Sequence, residues 1–280
     1  MEMRYARPET IAKACALLAE MPDKSVVLAG GTDMQIRLRG GDFTPALLVD
    51  IKHIPEFAAI TWSKNGELIL GSAVTMRQIY EDEKIVATYP ALAQGAEAVG
   101  SFQVRCRGTL GGNLCNASPC MDTAPGLLLL GAIMKLSSAR GERELALEKF
   151  FAGVKKTNLV PGELCTAILV PAEAKRLKTA FAKIKRVRGH DLALVNAAAA
   201  YDPEAKTLRA SIGSAAPTPV MTAIIKNVST RGADLADVEK RLVEAALEAI
   251  HPIDDVRASA EYRRDMTALL CRRLVHQLLA

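Results

Sequence analysis

The residues with the strongest chemical signature form the run Gly108-Thr109-Leu110-Gly111-Gly112-Asn113, which continues through Leu114-Cys115-Asn116-Ala117-Ser118-Pro119 to Asp122. Three glycines within five residues weaken any helix or strand, so they are expected to supply bare backbone that reaches positive φ and admits a ligand closely. Successive N–H groups in such a turn make a concave anion site. Thr109, Asn113, Asn116 and Ser118 add short hydrogen-bonding side chains around it. Asp122 precedes an apolar run, 127–130, that reads as a buried helix, and it is placed either to cap that helix or to hold a ligand hydroxyl.

A second glycine turn lies upstream, in Val26-Val27-Leu28-Ala29-Gly30-Gly31-Thr32-Asp33. A short apolar strand feeds the Gly-Gly pair and a helical pattern follows, which is again the order of a phosphate loop. Neither turn runs into the Gly-Lys-Ser/Thr of a Walker loop, and neither fits the dinucleotide pattern G-x-G-x-x-G. Two phosphate-type turns without a lysine point to a nucleotide diphosphate gripped by backbone amides from both sides.

Other chemistries find little support. His53, His190, His251 and His276 are scattered and form no metal-binding pair such as H-E-x-x-H. No Gly-x-Ser-x-Gly elbow is present. Cys106, Cys115 and Cys120 cluster in sequence, but their spacing matches no ferredoxin pattern, so they read as small residues beside a ligand loop. The net charge is +5, yet the stretch 175–188 carries seven Lys or Arg and no acid. That stretch reads as a solvated face, a partner surface or a contact for phosphates. Without an aromatic platform it does not suggest nucleic-acid binding.

These residues must be positioned by an α+β chain of 280 residues, half of them hydrophobic and only 4% aromatic. Residues 1–55 alternate helix and strand, with strands at 25–28 and 46–51 and a short helix at 33–39, an order that suggests parallel pairing. In 56–174, Asn65-Gly66 signals a hairpin between 60–62 and 68–70. Thr75-Met76-Arg77-Gln78 is a capping box opening a helix. Helix is expected again over 90–98, and strands over 133–137, 144–147 and 163–170. In 175–280 strands are expected at 179–187, 197–200 and 208–214, followed by long helices at 234–250 and 261–279. The N-terminus lacks an apolar leader and no run reaches membrane-spanning length, so the expected compartment is the cytoplasm.

The paired motifs Ala29-Gly30-Gly31-Thr32-Asp33 and Thr109-Leu110-Gly111-Gly112-Asn113, with Ala117-Ser118-Pro119 and Asp122, resemble the FAD-binding subunit of the molybdenum hydroxylases. That family includes xanthine dehydrogenase and aerobic-type carbon monoxide dehydrogenase. The resemblance runs from Tyr5-Ala6-Arg7-Pro8 to Ser259-Ala260-Glu261-Tyr262-Arg263-Arg264. It implies a two-subdomain FAD-binding fold of the vanillyl-alcohol-oxidase type, divided at 1–55 and 56–174. A smaller α+β domain with a three-stranded sheet and helices would follow over 175–280.

The resemblance also implies contacts. Val27, Leu28, Ala29, Gly30, Gly31, Thr32, Asp33, Met34 and Gln35 would wrap the FAD diphosphate from one side, with Asp33 alternatively a helix cap. Thr109, Gly111, Gly112 and Asn113 would hold it from the other. Asp122 would meet the ribityl or ADP portion, and Val99, Gly100, Cys165 and Lys183 would lie near the flavin. No catalytic acid, base or nucleophile is implied. Leu114, Ala117 and Met121 would either face a partner subunit or wall the flavin pocket. The implied role is an electron-transfer flavoprotein subunit that works with a molybdopterin-binding large subunit and a [2Fe-2S] small subunit. A self-contained FAD-dependent oxidoreductase of the same fold and a non-enzymatic nucleotide-binding scaffold are the alternatives.

Overall fold

The structure is a computed structural model that describes residues 3–41, 43–229 and 234–280. The N-terminal unit comprises β1 (Arg4–Ala6), α1 (Ile11–Glu20), β2 (Ser25–Leu28), α2 (Met34–Gly40) and β3 (Leu47–Asp50). Its three strands are parallel in the order β1-β3-β2. Cys15 and Leu18 of α1 recur on one helical face and are buried with Leu47 and Val49 of β3. The sequence pattern does not announce β1, because three residues are too few to show an alternation.

The middle unit begins with β4 (Ile60–Trp62) and β5 (Leu68–Gly71), joined at Asn65-Gly66 as expected, with Gly66 at φ 91°. Five helices follow: α3 (Met76–Glu81), α4 (Glu83–Thr88), α5 (Pro90–Glu97), α6 (Phe102–Arg105) and α7 (Leu110–Asn116). Thr75 opens α3 with a complete capping box: its Oγ1 accepts from the Gln78 N–H at 3.3 Å and its own N–H donates to Gln78 Oε1 at 2.9 Å. Next come α8 (Ala124–Leu129), β6 (Ile133–Ser138), β7 (Gly141–Ala146), the small ribbon β8 (Phe151–Gly153) and β9 (Lys156–Thr157), and β10 (Leu164–Val170). The antiparallel sheet runs β4-β5-β10-β6-β7. Its apolar face packs on the helices through residues such as Leu70, Ile168, Met134, Leu92, Leu110 and Leu127.

The C-terminal unit holds β11 (Lys178–Ile184), β12 (Val195–Asp202), β13 (Thr207–Gly213) and β14 (Val220–Met221), antiparallel in that order. The three expected strands are there, and β14 adds a two-residue fourth. Helices α9 (Leu235–Ala249) and α10 (Ala260–Leu279) complete it. Strand β12 explains its run of alanines. Ala197 and Ala199 face the core shared with α9 and α10, whereas Ala198 meets Ala91 of α5 on the opposite side. Both faces are covered by helices, so small side chains let two layers approach the strand closely.

One buried cation ties α10 to this sheet. Arg263, 2% exposed, donates from Nη1 to the Leu194 carbonyl at 2.6 Å and the Ser214 carbonyl at 2.9 Å, and from Nη2 to Asp255 at 2.8 Å. Burial pushes the Asp255 carboxyl up, but the Arg257 and Ala258 amides and the Arg257 and Arg263 guanidinium groups outweigh it and hold the carboxyl well below the usual range. A carboxyl depressed in the folded state contributes stability that is complete above its unfolded pKa of about 3.9 and is lost as the pH falls through the folded value. Acid titration of thermal stability should therefore show a loss confined to pH below about 4, and Asp255→Asn should flatten that part of the curve.

Candidate cofactor site

The two glycine turns meet. A Cβ on Gly30 would fall onto the Arg107 carbonyl and stand 3.0 Å from the Gly108 Cα, so only glycine lets the turn after β2 lie against the segment that leads into α7. Gly31 sits at φ 77°, the left-handed region that glycine enters freely. Among the described residues, none accepts a hydrogen bond from the N–H of Gly30, Gly31, Thr32 or Asp33. Asp33 occupies the N-cap position of α2, but its carboxylate makes no cap hydrogen bond and is exposed. This turn therefore presents unpartnered backbone donors, as an anion site requires.

The second turn behaves differently from the expectation. Gly108, Gly111 and Gly112 all lie outside the positive-φ region, and Gly111 and Gly112 form the first turn of α7. The amides there are already engaged. Leu110 N–H donates to the Val74 carbonyl and Gly111 N–H to the Ser72 carbonyl, both at 2.9 Å, while Gly112 N–H donates to Thr109 Oγ1 at 3.2 Å. A Cβ on Gly111 would stand 2.5 Å from the Ser72 Cβ and 2.7 Å from its carbonyl oxygen. Gly111 thus serves the close packing of α7 on the segment after β5, and Thr109 caps α7. The symmetrical amide grip read from the sequence is replaced by one donor-rich turn facing a helix that contributes side chains.

A cavity of about 350 Å³ runs between these elements, lined by Val27, Ala29 to Met34, Val99, Thr109, Gly111, Gly112, Asn113 and Cys165 among the expected residues. A second, of about 650 Å³, opens between the middle and C-terminal units and adds Gly100 and Asp122. Thr32, Asp33, Val99, Val104, Asn113 and Asn116 line both, so the two cavities adjoin along one cleft wall. Leu28, Gln35 and Lys183 line neither. Leu28 is 8% exposed, and its side chain lies beneath the glycine turn, with Cδ1 3.3 Å from where a Cβ on Gly31 would stand. Asn116, one of the polar side chains expected around the glycine run, lines both cavities, and Ser72 is a lining residue that no motif singled out. The Ser72 hydroxyl is buried without a hydrogen-bond partner, and nothing in its local sequence distinguishes it from any serine after a strand. Asn113 accepts from Thr123 Oγ1 at 2.8 Å, which fixes the side-chain amide beside the cleft.

Asp122 and Lys183 are brought together, 61 positions apart in sequence. Lys183 Nζ lies 2.6 Å from Asp122 Oδ2 and also donates to the Ala98 carbonyl at 3.0 Å. Asn196 Nδ2 donates to Asp122 Oδ1 at 2.7 Å and to the Met121 carbonyl at 3.2 Å. Burial pushes the Asp122 carboxyl up, against the pull of Lys183 and Asn196. Asp122 does not cap α8, whose N-cap residue is Thr123. The basic stretch dissolves into separate contacts: Arg176 pairs with Asp202, Arg186 with Asp191, and Lys175 lies 5.3 Å from the Trp62 ring centroid. Leu114, Ala117 and Met121 are 0%, 1% and 3% exposed. Leu114 and Met121 belong to the core of the middle unit, Met121 also lines the second cavity, and none of the three presents an exposed surface to a partner.

Residues 1–173 match the family described as the FAD binding domain in molybdopterin dehydrogenase, and residues 179–278 match the CO dehydrogenase flavoprotein C-terminal domain. The chain belongs to this flavoprotein family of the molybdopterin dehydrogenases. It is 29% identical to the xanthine dehydrogenase FAD-binding subunit of Escherichia coli, over 99% of this chain and 96% of that protein. Against the carbon monoxide dehydrogenase medium chain of Afipia carboxidovorans the identity is 30%, over 98% and 95%. A solved Cu,Mo-CO dehydrogenase superposes with a TM-score of 0.89 at 28% identity, over 99% of this chain and 97% of that one. As a member of this family the chain is an FAD-binding oxidoreductase subunit with the expected α+β architecture.

Two substitutions separate packing from ligand contact. Gly111→Ala should destabilise the flavoprotein by about 1–3 kcal/mol in urea unfolding, because its methyl must displace Ser72 backbone. Lys183→Met should lower stability by about 3–5 kcal/mol by leaving Asp122 buried and unpaired, and adding Asp122→Asn should restore much of the loss. Unchanged unfolding of Lys183→Met together with diminished cofactor content would instead make Lys183 a direct cofactor contact.

Proposed function

We propose that this chain is the electron-transferring flavoprotein subunit of a molybdopterin-dependent hydroxylase or dehydrogenase. The single observation that carries the reading is the turn of Gly30 to Asp33, whose amides are free and whose residues line the first cavity, with Thr32 and Asp33 lining the adjoining one as well. The residues present fit FAD. The amide turn suits the diphosphate, the unpartnered Ser72 hydroxyl offers a further donor beside it, and the cavity between the units suits the flavin ring. When bound, FAD supplies two-electron and one-electron chemistry between a metal-bearing partner and an acceptor.

The chain's own residues hold and enclose that cofactor. Gly30, Gly31, Thr32 and Asp33 would neutralise the diphosphate through backbone dipoles. Asn113 and Asn116, which line both cavities, would orient the portion that passes from one to the other. Val99 and Gly100 would wall the ring, and the ion pair of Lys183 with Asp122 would hold the C-terminal unit against it. We assign a molybdopterin-binding large subunit and a [2Fe-2S] small subunit as partners in a cytoplasmic hetero-oligomer. The names of the relatives, a medium chain and an FAD-binding subunit, support that assignment, as do six cysteines outside any disulfide.

Acid precipitation of the purified protein should release all of its flavin into the supernatant, because binding by backbone amides needs no covalent bond. Yellow colour kept in the pellet would contradict this. The chain alone should be reduced by dithionite but should turn over no organic substrate, and co-expression with its partner subunits should restore turnover. Substrate oxidation by the metal-free chain alone would instead indicate a self-contained flavoenzyme.

A further inference from the structure

A hairpin tip reaches the wall that the two cavities share. Val154 and Lys155 form the turn between β8 and β9, and both line the second cavity. The turn is pinned to the end of α7. The Lys155 N–H donates to the Ala117 carbonyl at 2.9 Å, and Lys155 Nζ donates to Asn116 Oδ1 at 2.8 Å. Lys155 and Ala117 each hold a left-handed backbone, at φ 56° and 46°, which residues other than glycine seldom adopt. Such conformations persist only where the surroundings fix them, and here they hold a lysine at the cavity wall.

The other charges lining the second cavity are largely paired. Arg257 and Arg263 are tied to Asp255, Asp122 to Lys183 and Asp191 to Arg186. Lys155 forms no ion pair among the described residues, and the oxygen it holds belongs to a neutral amide, so its charge stays uncompensated. Asp33 lines both cavities and also forms no ion pair among the described residues. Without Lys155 this wall would therefore turn an uncompensated carboxylate toward an anionic ligand.

Lys155 also orients Asn116. An ammonium only donates, so it takes the amide oxygen and leaves both Nδ2 hydrogens to be offered elsewhere. Asn113 precedes Asn116 by three residues on the same side of α7, and its oxygen is taken by Thr123 Oγ1 at 2.8 Å. Both asparagines line both cavities, and neither Nδ2 group donates to a described residue.

We propose, on the reading of this cleft as the FAD site, that Lys155 and the side-chain amides of Asn113 and Asn116 form the second half of the diphosphate grip, complementing the free amides of Gly30 to Asp33. The ammonium supplies the lysine that neither glycine turn contains, from 39 positions beyond Asn116. It acts on the phosphates as a point charge, and the two Nδ2 groups donate to phosphate oxygens. The grip is then made of backbone on one side and of side chains on the other.

The test uses the full chain after flavin removal, with FAD and ADP as probes. Quenching of flavin fluorescence gives the FAD affinity, and displacement of FAD gives the ADP affinity. Lys155→Met should weaken FAD and ADP alike, by about tenfold, because the lost contact is with the diphosphate they share. It should also flatten the fall of FAD affinity with rising salt, which a purely structural role would leave alone. Lys155→Arg should recover most of the affinity. Asn116→Asp gives Lys155 a carboxylate to pair with, and it should weaken both probes while urea unfolding stays that of the wild type. Wild-type affinity in Lys155→Met, a loss for FAD without a loss for ADP, or a loss with the salt dependence intact would overturn the proposal and leave the cofactor reading standing. A wild-type chain that binds neither FAD nor ADP would overturn the cofactor reading itself, and the proposal with it.

Discussion

Asp122 leaves the middle unit between α7 and α8 and is met there by two side chains from the C-terminal sheet, Lys183 of β11 and Asn196 of β12. The ion pair is desolvated, with both side chains under a tenth exposed. Such a pair contributes little net stability compared with an apolar contact, but breaking it strands a charge, so it strongly favours one arrangement of the two units. The arrangement matters because the larger cavity exists only between them. Lys183 also donates to the Ala98 carbonyl, next to Val99 and Gly100 on the cavity wall. The alanine faces of β12 cooperate by letting α5 on one side and α10 on the other approach the same strand. The charged tie and the small residues together place the cleft.

Glycine has two separate uses at the site. Gly31 provides a left-handed conformation, and the amides around it remain free. Gly111 provides absence of volume, and its amide is bound by the Ser72 carbonyl. In sequence the two motifs look equivalent, since each is a Gly-Gly pair before a helix. They differ because α7 is packed against the chain after β5, which supplies acceptors to its first turn, while α2 begins at the edge of the cleft. One motif therefore binds by backbone and the other shapes the wall on which Asn113 and Asn116 stand.

Charge density along the chain proved a poor guide to charge at a surface. The stretch 175–188 is uniformly basic, yet its members point to different neighbours: Asp202, Asp122, Asp191 and the Trp62 ring. A strand sends alternate side chains to opposite faces and its flanking turns elsewhere, so a run of like residues is dispersed when the chain folds. Leu114, Ala117 and Met121 are buried as well, so their apolar character marks core and cleft wall and not an exposed interface.

Local signals in the sequence determined much of this protein. The Asn65-Gly66 hairpin, the Thr75 capping box, the amphipathic stripes of α1 and α9 and the two glycine turns are each encoded within a few residues, where backbone sterics and period act without help from distant contacts. Those turns were enough to indicate a nucleotide diphosphate, and the resemblance they carry to a known family indicated a flavoprotein subunit. Tertiary structure alone decided which turn keeps its amides free, that Asp122 is paired with Lys183, that Ser72 stands unpartnered at the cleft, and that Cys115 and Cys165 line the same cavity. Each of these joins residues tens of positions apart, or depends on the acceptors a neighbouring segment offers, and such contacts exist only once the sheets have set the segments side by side.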